Sequence, residues 1–183
     1  MNFKVKILRH PTEEDWMRAK MLALNTVWKK AKNAPDENWK IQLLESEHSP
    51  IRTLMFTIEM EIPYYVSVHY VRHKYGVEHY VTSQRNDRQD KYDRTKAPQD
   101  SMVCHIMEIN AQELMFMARR RLCTQADIFT NIVMQEICKQ VIECCPEFSS
   151  SLVPMCAYRG GRCTEFKCCG LNKKYQGGGN NDR

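Results

Sequence analysis

The chain has 183 residues, a formal net charge of +5 and 43% hydrophobic residues, which together predict one globular domain with its own core. No apolar run approaches the length of a membrane span, and the first ten residues lack the apolar stretch of a signal peptide, so we expect a cytoplasmic protein. The modest positive charge would attract polyanions, but it does not distinguish nucleotides from nucleic acids or acidic membranes.

Strands and helices are predicted to interleave along the chain. In chain order they are a strand at 3–8, helices at 11–31 and 36–46, a strand at 53–62, a helix at 64–73, strands at 77–83 and 102–109, and helices at 110–122 and 124–145. Thr12 and Asn110 are the expected N-caps of two of these helices. The order predicts an α/β or α+β single domain with a mixed or antiparallel sheet flanked by helices.

Two segments are predicted to lie outside this framework. Residues 86–100 are almost wholly polar and predict a loop or a segment that a ligand orders. Residues 171–183 are rich in Gly and Asn and predict a disordered tail, which leaves a domain at residues 1–170.

The nine cysteines predict reduced thiols rather than a disulfide framework. Their number is odd, and Cys104, Cys123 and Cys138 fall within apolar periodic stretches. The C-terminal set is Cys156, Cys163, Cys168 and Cys169. Its spacing lacks the paired Cys-x2-Cys knuckles of common zinc sites, so it favours a packed thiol cluster or a redox-sensitive tail, and no metal ligand is predicted.

Two polar triplets flank a short apolar and aromatic run. Arg72, His73 and Lys74 form the first, and Ser83, Gln84 and Arg85 form the second. Fixed cationic donors beside aromatic side chains suit a ligand that has both phosphates and flat rings. From these residues alone, a solvated basic turn is the alternative interpretation.

Several motifs resemble those of the flavin-dependent thymidylate synthases. The triplet at residues 72–74 resembles the Arg-His-Arg motif of that family, and residues 83–85 resemble its Ser-x-Arg end with one extra residue between. "EHSP" at 47–50 resembles a family turn, and "NAQELMFMARRRL" at 110–122 resembles the family's "NARSLxxFxxLR" helix. Arg94 with Pro98 matches Arg-x-x-x-Pro, and the cysteine-containing segment at 154–170 resembles a tail found in part of the family.

The resemblance implies an FAD-dependent methyltransferase that makes dTMP. Such an enzyme transfers a one-carbon unit from methylenetetrahydrofolate to C5 of dUMP, with NADPH as reductant, and assembles as a homotetramer with sites between subunits. The implied flavin-binding residues are His48, Ser49, Arg72, His73, Lys74, Asn110 and Gln112. No membrane contact is expected, and nucleic acid is not an expected partner.

The resemblance also implies a nucleotide site. The residues implied to bind dUMP are His69, Arg72, Ser83, Gln84, Arg85, Arg94 from a neighbouring subunit, and Arg121. Arg121 would polarise the pyrimidine carbonyl, and the Ser83 hydroxyl would position the base without acting as a covalent nucleophile. His69 lies one helical turn before His73, so both are expected to face one cavity. Only one of the three arginines 119–121 is expected to face the cleft.

Departures from the family pattern support a second hypothesis. Lys74 replaces Arg, while Gln112 and Phe116 stand where polar or cationic flavin contacts are usual. The alternative is therefore a catalytically impaired family member that binds nucleotide or flavin without turnover. A third hypothesis is a nucleic-acid binder using the basic stretch 85–96, which lacks regularly interleaved aromatic residues.

Overall fold

The computed structural model describes residues 2–85, 87–88 and 93–176. These residues form a single mixed α/β domain with a four-stranded antiparallel sheet and flanking helices, which confirms the predicted fold class. No helix among them is both long and apolar enough to span a bilayer.

The elements follow the predicted order. They are β1 (Lys4–Arg9), α1 (Glu13–Asn25), α2 (Glu37–Glu45), β2 (Met55–Pro63), α3 (Tyr64–Tyr70), β3 (Val77–Val81), β4 (Met102–Asn110), α4 (Ala111–Arg121), α5 (Ile128–Cys144) and α6 (Met155–Tyr158). Short 3-10 helices lie at Ser49–Thr53, Arg94–Lys96, Pro146–Phe148 and Leu171–Tyr175.

The sheet has the strand order β1-β2-β4-β3, and β2 and β4 pair over their whole length. Both strands alternate in burial, so that Ile58 of β2 and its partner Met107 of β4 point into the core. This period of two was readable in the sequence, because one face of the sheet must be apolar to pack against helices. Helices α3, α4 and α5 pack around that buried face.

Thr12 and Asn110 are the N-caps of α1 and α4, as predicted. Helix α1 nevertheless ends at Asn25, so the prediction that it continues to residue 31 is wrong. Residues 25–27 are Asn, Thr and Val, which have low helix propensity. Trp28 is fully exposed, so its burial does not compensate for the low helix propensity of these residues. Its positive φ of 57° is incompatible with a continuing α-helix.

Helix α3 is also shorter than predicted. It ends at Tyr70, whose ring is completely buried, and its hydroxyl donates to the Thr130 carbonyl at 2.9 Å. His73 therefore lies in the turn between α3 and β3, so the expectation that His69 and His73 share one helix face is wrong. The positive φ of Gly76 completes this turn.

The predicted tail begins with ordered backbone. The 3-10 helix at Leu171–Tyr175 lies within the stretch expected to be disordered, and Asn172 Nδ2 donates to the Gly161 carbonyl at 3.1 Å. These contacts hold residues 171–176 against the turn after α6. Residues 177–183, and the part of the predicted loop at 86 and 89–92, lie outside the described residues.

Candidate functional site

A cleft lies where the turn after α3 meets the junction between β4 and α4. It consists of two adjoining cavities of about 500 and 470 Å3, and Tyr75, Glu113 and Phe116 border both. The first cavity is further lined by Arg72, His73, Lys74, Arg120, Arg121 and Glu165. The second is further lined by Glu47, Arg52, Gly76, Asn110, Gln112 and Arg119.

Gly76 and Asn110 hold the two halves of the cleft together. Gly76 has a φ of +75°, and a Cβ at this position would collide with the Asn110 side chain. The Asn110 backbone N–H donates to the Gly76 carbonyl at 2.8 Å, while its side-chain oxygen accepts from the Glu113 N–H at 2.9 Å. Asn110 therefore joins the turn that carries residues 72–74 to the helix that carries Arg121.

His73 is the most buried polar group of the first cavity, with 5% of its surface exposed. Its Nδ1 lies 2.8 Å from Glu113 Oε1, and its Nε2 lies 3.2 Å from Arg121 Nε. A guanidinium can only donate, so Nε2 must be the acceptor and the imidazole proton must sit on Nδ1, where it donates to Glu113. The geometry therefore fixes one tautomer of His73, with the proton on Nδ1, between the Glu113 carboxylate and the Arg121 guanidinium.

Arg121 is held by a second contact. Its Nη2 donates to the His69 backbone carbonyl at 2.6 Å. Burial is the largest influence on the Arg121 guanidinium and lowers its pKa from the usual value. Two of its nitrogens are thus committed to protein acceptors, which fixes the orientation of the planar group at the edge of the cavity.

A chain of hydrogen bonds continues from His73 into the core. His79 Nε2 donates to the His73 carbonyl at 2.8 Å, and His79 Nδ1 lies 2.9 Å from His105 Nε2. His105 Nδ1 lies 3.0 Å from Ser67 Oγ. Burial, and then the neighbouring His79, lower the pKa of His105 to about 4. His105 is therefore neutral at pH 7, so one of its ring nitrogens donates a hydrogen bond and the other accepts one.

The first cavity combines cationic side chains with aromatic surface. Its lining includes four cations, contributed by Arg72, Lys74, Arg120 and Arg121, and two carboxylates. The Phe116 ring meets the His73 ring edge to face at 6.0 Å, and Tyr75 is 87% exposed beside it. Such a lining suits an anionic ligand that also presents a flat ring.

Arg119 borders the second cavity, and its side chain is buried rather than solvated. It is 6% exposed, its Nη2 donates to Glu47 Oε1 at 2.7 Å, and its Cζ lies 3.6 Å from the centre of the Tyr158 ring. Burial raises the pKa of Glu47, but hydrogen bonds from Arg119 and Tyr158 outweigh burial and lower it. Glu47 is therefore a carboxylate that anchors Arg119.

The expectation that one arginine of three faces the cleft is also wrong. Arg119 borders the second cavity, whereas Arg120 and Arg121 border the first. Side chains of adjacent helix residues diverge, as expected, but the cleft extends on both sides of α4. The first cavity alone is wide enough for two adjacent arginines, Arg120 and Arg121, to border it.

The predicted flavin-binding residues fall into three places. Arg72, His73 and Lys74 line the first cavity, and Asn110 and Gln112 line the second. His48 and Ser49 are exposed at the start of a 3-10 helix, and they line neither cavity. His48 instead borders a separate depression between α1 and α2.

The predicted substrate residues are also divided. Arg72 and Arg121 line the first cavity, whereas His69 reaches Arg121 only through its backbone carbonyl. The segment Ser83, Gln84 and Arg85 follows the far end of β3, about 20 Å along an extended chain from Val77. Arg85 is paired there with Asp87 through two hydrogen bonds of 2.9 and 2.8 Å. The Arg94 side chain lies outside the described part of the chain.

Two residues of the cleft, Glu113 and Arg52, were not predicted from the sequence. Glu113 follows Asn110 by three positions, a spacing typical of a capping box. In the structure the Asn110 N–H is already bonded to Gly76, so the Glu113 carboxylate reaches His73 instead. Arg52 was also missed, although its Nε donates to Gln112 Oε1 at 2.5 Å.

All nine cysteines are free thiols. Cys138 is buried in α5, and burial raises its pKa to about 12, whereas Cys123 lines the first cavity. Near the C-terminus, Cys169 has a lowered pKa because Thr124 and the backbone of Leu171 donate hydrogen bonds to its sulfur. Within the described ranges, the four C-terminal cysteines do not bring three sulfur atoms within 4.8 Å of one another.

Comparison of the sequence with protein-family models gave no match, and comparison with curated proteins gave no significant match. Membership of the flavin-dependent thymidylate synthase family therefore stays a prediction that rests on the motifs.

Proposed function

We propose that this protein is a flavin-dependent thymidylate synthase, which uses FAD, NADPH and methylenetetrahydrofolate to convert dUMP to dTMP. The observation that carries the proposal is the meeting of two motifs that are about 40 residues apart in the sequence. Residues 72–74 and Arg121 line one cavity, while Asn110 and Gln112 line the adjoining one.

The residues of the cleft fit a flavin nucleotide by their chemistry. Arg72 and Lys74 supply exposed cationic donors for phosphate oxygens. Tyr75 and Phe116 supply exposed aromatic surface between the two cavities, against which a flat ring system could pack. Two adjoining cavities of about 500 and 470 Å3 offer separate space for the two ends of a dinucleotide.

When bound, the flavin would supply the redox chemistry, and the protein would supply binding and orientation. Arg121 is held by His73 and His69, so its guanidinium is oriented before any ligand arrives. In the proposed reaction it stabilises negative charge that develops on the pyrimidine carbonyl, to which one such donor contributes about 3 kcal/mol of the barrier.

The proposed dUMP site requires a second copy of the chain. Ser83, Gln84 and Arg85 follow the far end of β3, and none of them lines the cleft of their own subunit. In the homotetramer implied by the resemblance, this segment would complete the cleft of a neighbour. Arg85 would then exchange its exposed partner Asp87 for the nucleotide phosphate. The exchange would cost little free energy, because exposed ion pairs contribute little to stability.

A second candidate is a family member that binds nucleotide or flavin without turnover. It is favoured by the commitment of Arg121 to His73 and His69, which leaves fewer free donors for a substrate. Gln112 is likewise occupied by Arg52. Gln112 would have to exchange this contact before its amide oxygen could bind a ligand, and Arg121 would have to bind one through its remaining N–H groups.

The visible absorption spectrum and a set of turnover assays separate the candidates. We expect the purified protein to be yellow or to take up added FAD, to oxidise NADPH faster when dUMP is present, and to release tritium from C5-labelled dUMP. Flavin and dUMP binding by calorimetry without tritium release would establish the second candidate. A colourless protein that takes up no FAD would refute the first candidate, and one that also binds no dUMP would refute both.

A pair of variants locates the activity in the cleft. Arg121→Ala removes a cleft guanidinium, while Arg88→Ala removes an exposed one outside both cavities and changes the net charge equally. We expect Arg121→Ala to abolish dUMP-dependent turnover and Arg88→Ala to retain it. Equal activity in the two variants would place the chemistry elsewhere.

A further inference from the structure

Three side chains with metal-binding donor atoms meet away from the cleft. His10 follows β1, and Cys144 and Cys145 lie at the end of α5. One donor atom from each of them lies within 4.8 Å of the others, and Cys145 Sγ is 3.7 Å from His10 Nδ1. None of the three lines either cavity of the candidate site.

The end of α5 explains how two adjacent cysteines reach the same point. Neighbouring side chains on a continuing helix point about 100° apart, because an α-helix has 3.6 residues per turn. Cys145 has left the helical conformation, with φ −139° and ψ 76°, immediately before Pro146. The non-helical backbone at Cys145 therefore turns its thiol toward that of Cys144 and toward His10.

Packing of α5 on β1 brings the histidine to the same place. Gln140 Nε2 donates to the Val5 carbonyl at 2.9 Å, which fixes the helix against the first strand. His10 then follows directly after Arg9, the last residue of that strand. The three donors thus come from two segments that the core holds in a fixed relation.

The observed spacing is close to that of a tetrahedral site. Zinc bonds thiolate at about 2.3 Å and imidazole at about 2.0–2.1 Å, so adjacent ligand atoms lie about 3.5–3.8 Å apart in a tetrahedron. The sulfur-to-nitrogen distance of 3.7 Å already falls in that range. The other pairs are within 4.8 Å, so they need to close by at most about 1.3 Å.

We propose that Cys144, Cys145 and His10 bind one thiophilic d10 cation of the Zn2+ class. Two thiols and one imidazole form a donor set that binds such cations in preference to Mg2+ or Ca2+. Binding forms two metal–thiolate bonds and one metal–imidazole bond and releases two thiol protons, so the complex is neutral. Because His10 is exposed, a water molecule completes the fourth position from the solvent side.

Existing contacts at the three donors are weak enough to be exchanged. His10 Nδ1 lies 3.1 Å from the Pro11 carbonyl, and Cys144 Sγ donates to the Val141 carbonyl at 3.4 Å. Coordination moves the imidazole proton to Nε2, which makes Nδ1 available to the metal.

The chain offers a matched control for testing the site. Cys168 and Cys169 are also adjacent, but both are exposed. The reduced full-length protein is titrated with Cd2+, which reports thiolate bonds by ultraviolet charge-transfer absorption, and with Zn2+ in competition with a chromophoric chelator. We expect one equivalent bound per chain, its loss in Cys144→Ala/Cys145→Ala, and its retention in Cys168→Ala/Cys169→Ala.

His10→Ala keeps the test decisive if replacing the buried cysteine impairs folding. His10 is exposed, so its removal leaves the fold intact. Loss of an outer-shell partner alone typically weakens metal binding about 10- to 100-fold. Loss of a direct ligand should therefore weaken Zn2+ binding at least about tenfold and reduce the rise in Tm that Zn2+ produces in the parent protein.

Several results would overturn the proposal. No thiolate absorption in the reduced parent protein would do so, as would an unchanged Zn2+ affinity in His10→Ala. Absorption that disappears in Cys168→Ala/Cys169→Ala and persists in Cys144→Ala/Cys145→Ala would assign the cation to the C-terminal cysteines instead.

Discussion

Replacement of Glu113 by alanine tests the assignment of the His73 proton. The Arg121 N–H points at His73 Nε2, so the imidazole must donate through Nδ1, and Glu113 is its acceptor at 2.8 Å. Glu113→Ala removes that acceptor. The ring cannot escape by changing tautomer, because a proton on Nε2 would then face the Arg121 donor.

The expected loss follows from the burial of the ring. His73 is 5% exposed, so an unpaired Nδ1–H would be cut off from most solvent, which costs about 1–3 kcal/mol. For a chain of this length, 1 kcal/mol shifts Tm by about 2–4 °C, so we expect a decrease of about 2–12 °C. Glu113→Gln keeps an acceptor oxygen of the same reach and should lose about 1 kcal/mol or less.

Urea unfolding followed by circular dichroism at pH 7, together with calorimetric Tm values, would measure both variants. The decisive quantity is the difference between the alanine and glutamine variants, because both remove the same charge. Equal unfolding free energies for the two would refute the reasoning, since they would show that water from the cleft reaches Nδ1 once the carboxylate is gone.

Three further predictions concern stability and turnover. His105 has a pKa of about 4 when folded and an ordinary value of 6.5, so the unfolded chain binds the proton first. The free energy of unfolding should fall by about 3 kcal/mol as pH drops from 6.5 to 4, and His105→Gln should flatten this part of the urea-unfolding profile; an unchanged profile would contradict it. Gly76→Ala should lower the free energy of unfolding by at least about 1–2 kcal/mol, with a matching fall in Tm, because the φ of Gly76 is positive and a Cβ would collide with the Asn110 side chain. Gly160→Ala, which meets nothing within 4 Å, should cost less, and an equal loss would rule out the collision. Arg121→Lys should leave FAD binding largely intact while lowering dUMP-dependent turnover about 100-fold, since the charge stays but the planar fork is lost; equal activity would remove Arg121 from its proposed role.

The order and class of the elements were readable from the sequence because they depend on local patterns. Alternation of apolar residues at 53–62 and 102–109 predicted the two central strands, and these became β2 and β4. Thr12 and Asn110 were readable as caps because both residue types favour the N-cap position. In the structure each side-chain oxygen accepts a hydrogen bond from the backbone N–H three residues later. Such signals require no knowledge of distant contacts.

Helix ends were less accessible to the same reasoning. The pattern at 64–73 suited a helix throughout, yet α3 ends at Tyr70, three residues short of His73. Tertiary contacts favour the turn over a longer helix. In the turn, the His73 ring forms hydrogen bonds with Glu113 and Arg121, and the His73 carbonyl accepts a hydrogen bond from His79. Side chains 40 and 48 residues further along the chain supply those partners, and no local propensity reports them.

The sequence by itself determined one α/β domain, the strand alternation, the caps and the two polar triplets, because each follows from neighbouring residues. Only the tertiary structure decided that Glu113 holds His73, that Arg119 is buried against Glu47 and Tyr158, and that His10 meets Cys144 and Cys145. The physical reason is that a buried polar or charged group is stable only where distant segments supply its partner. Which segments meet is settled by how the helices pack on the sheet.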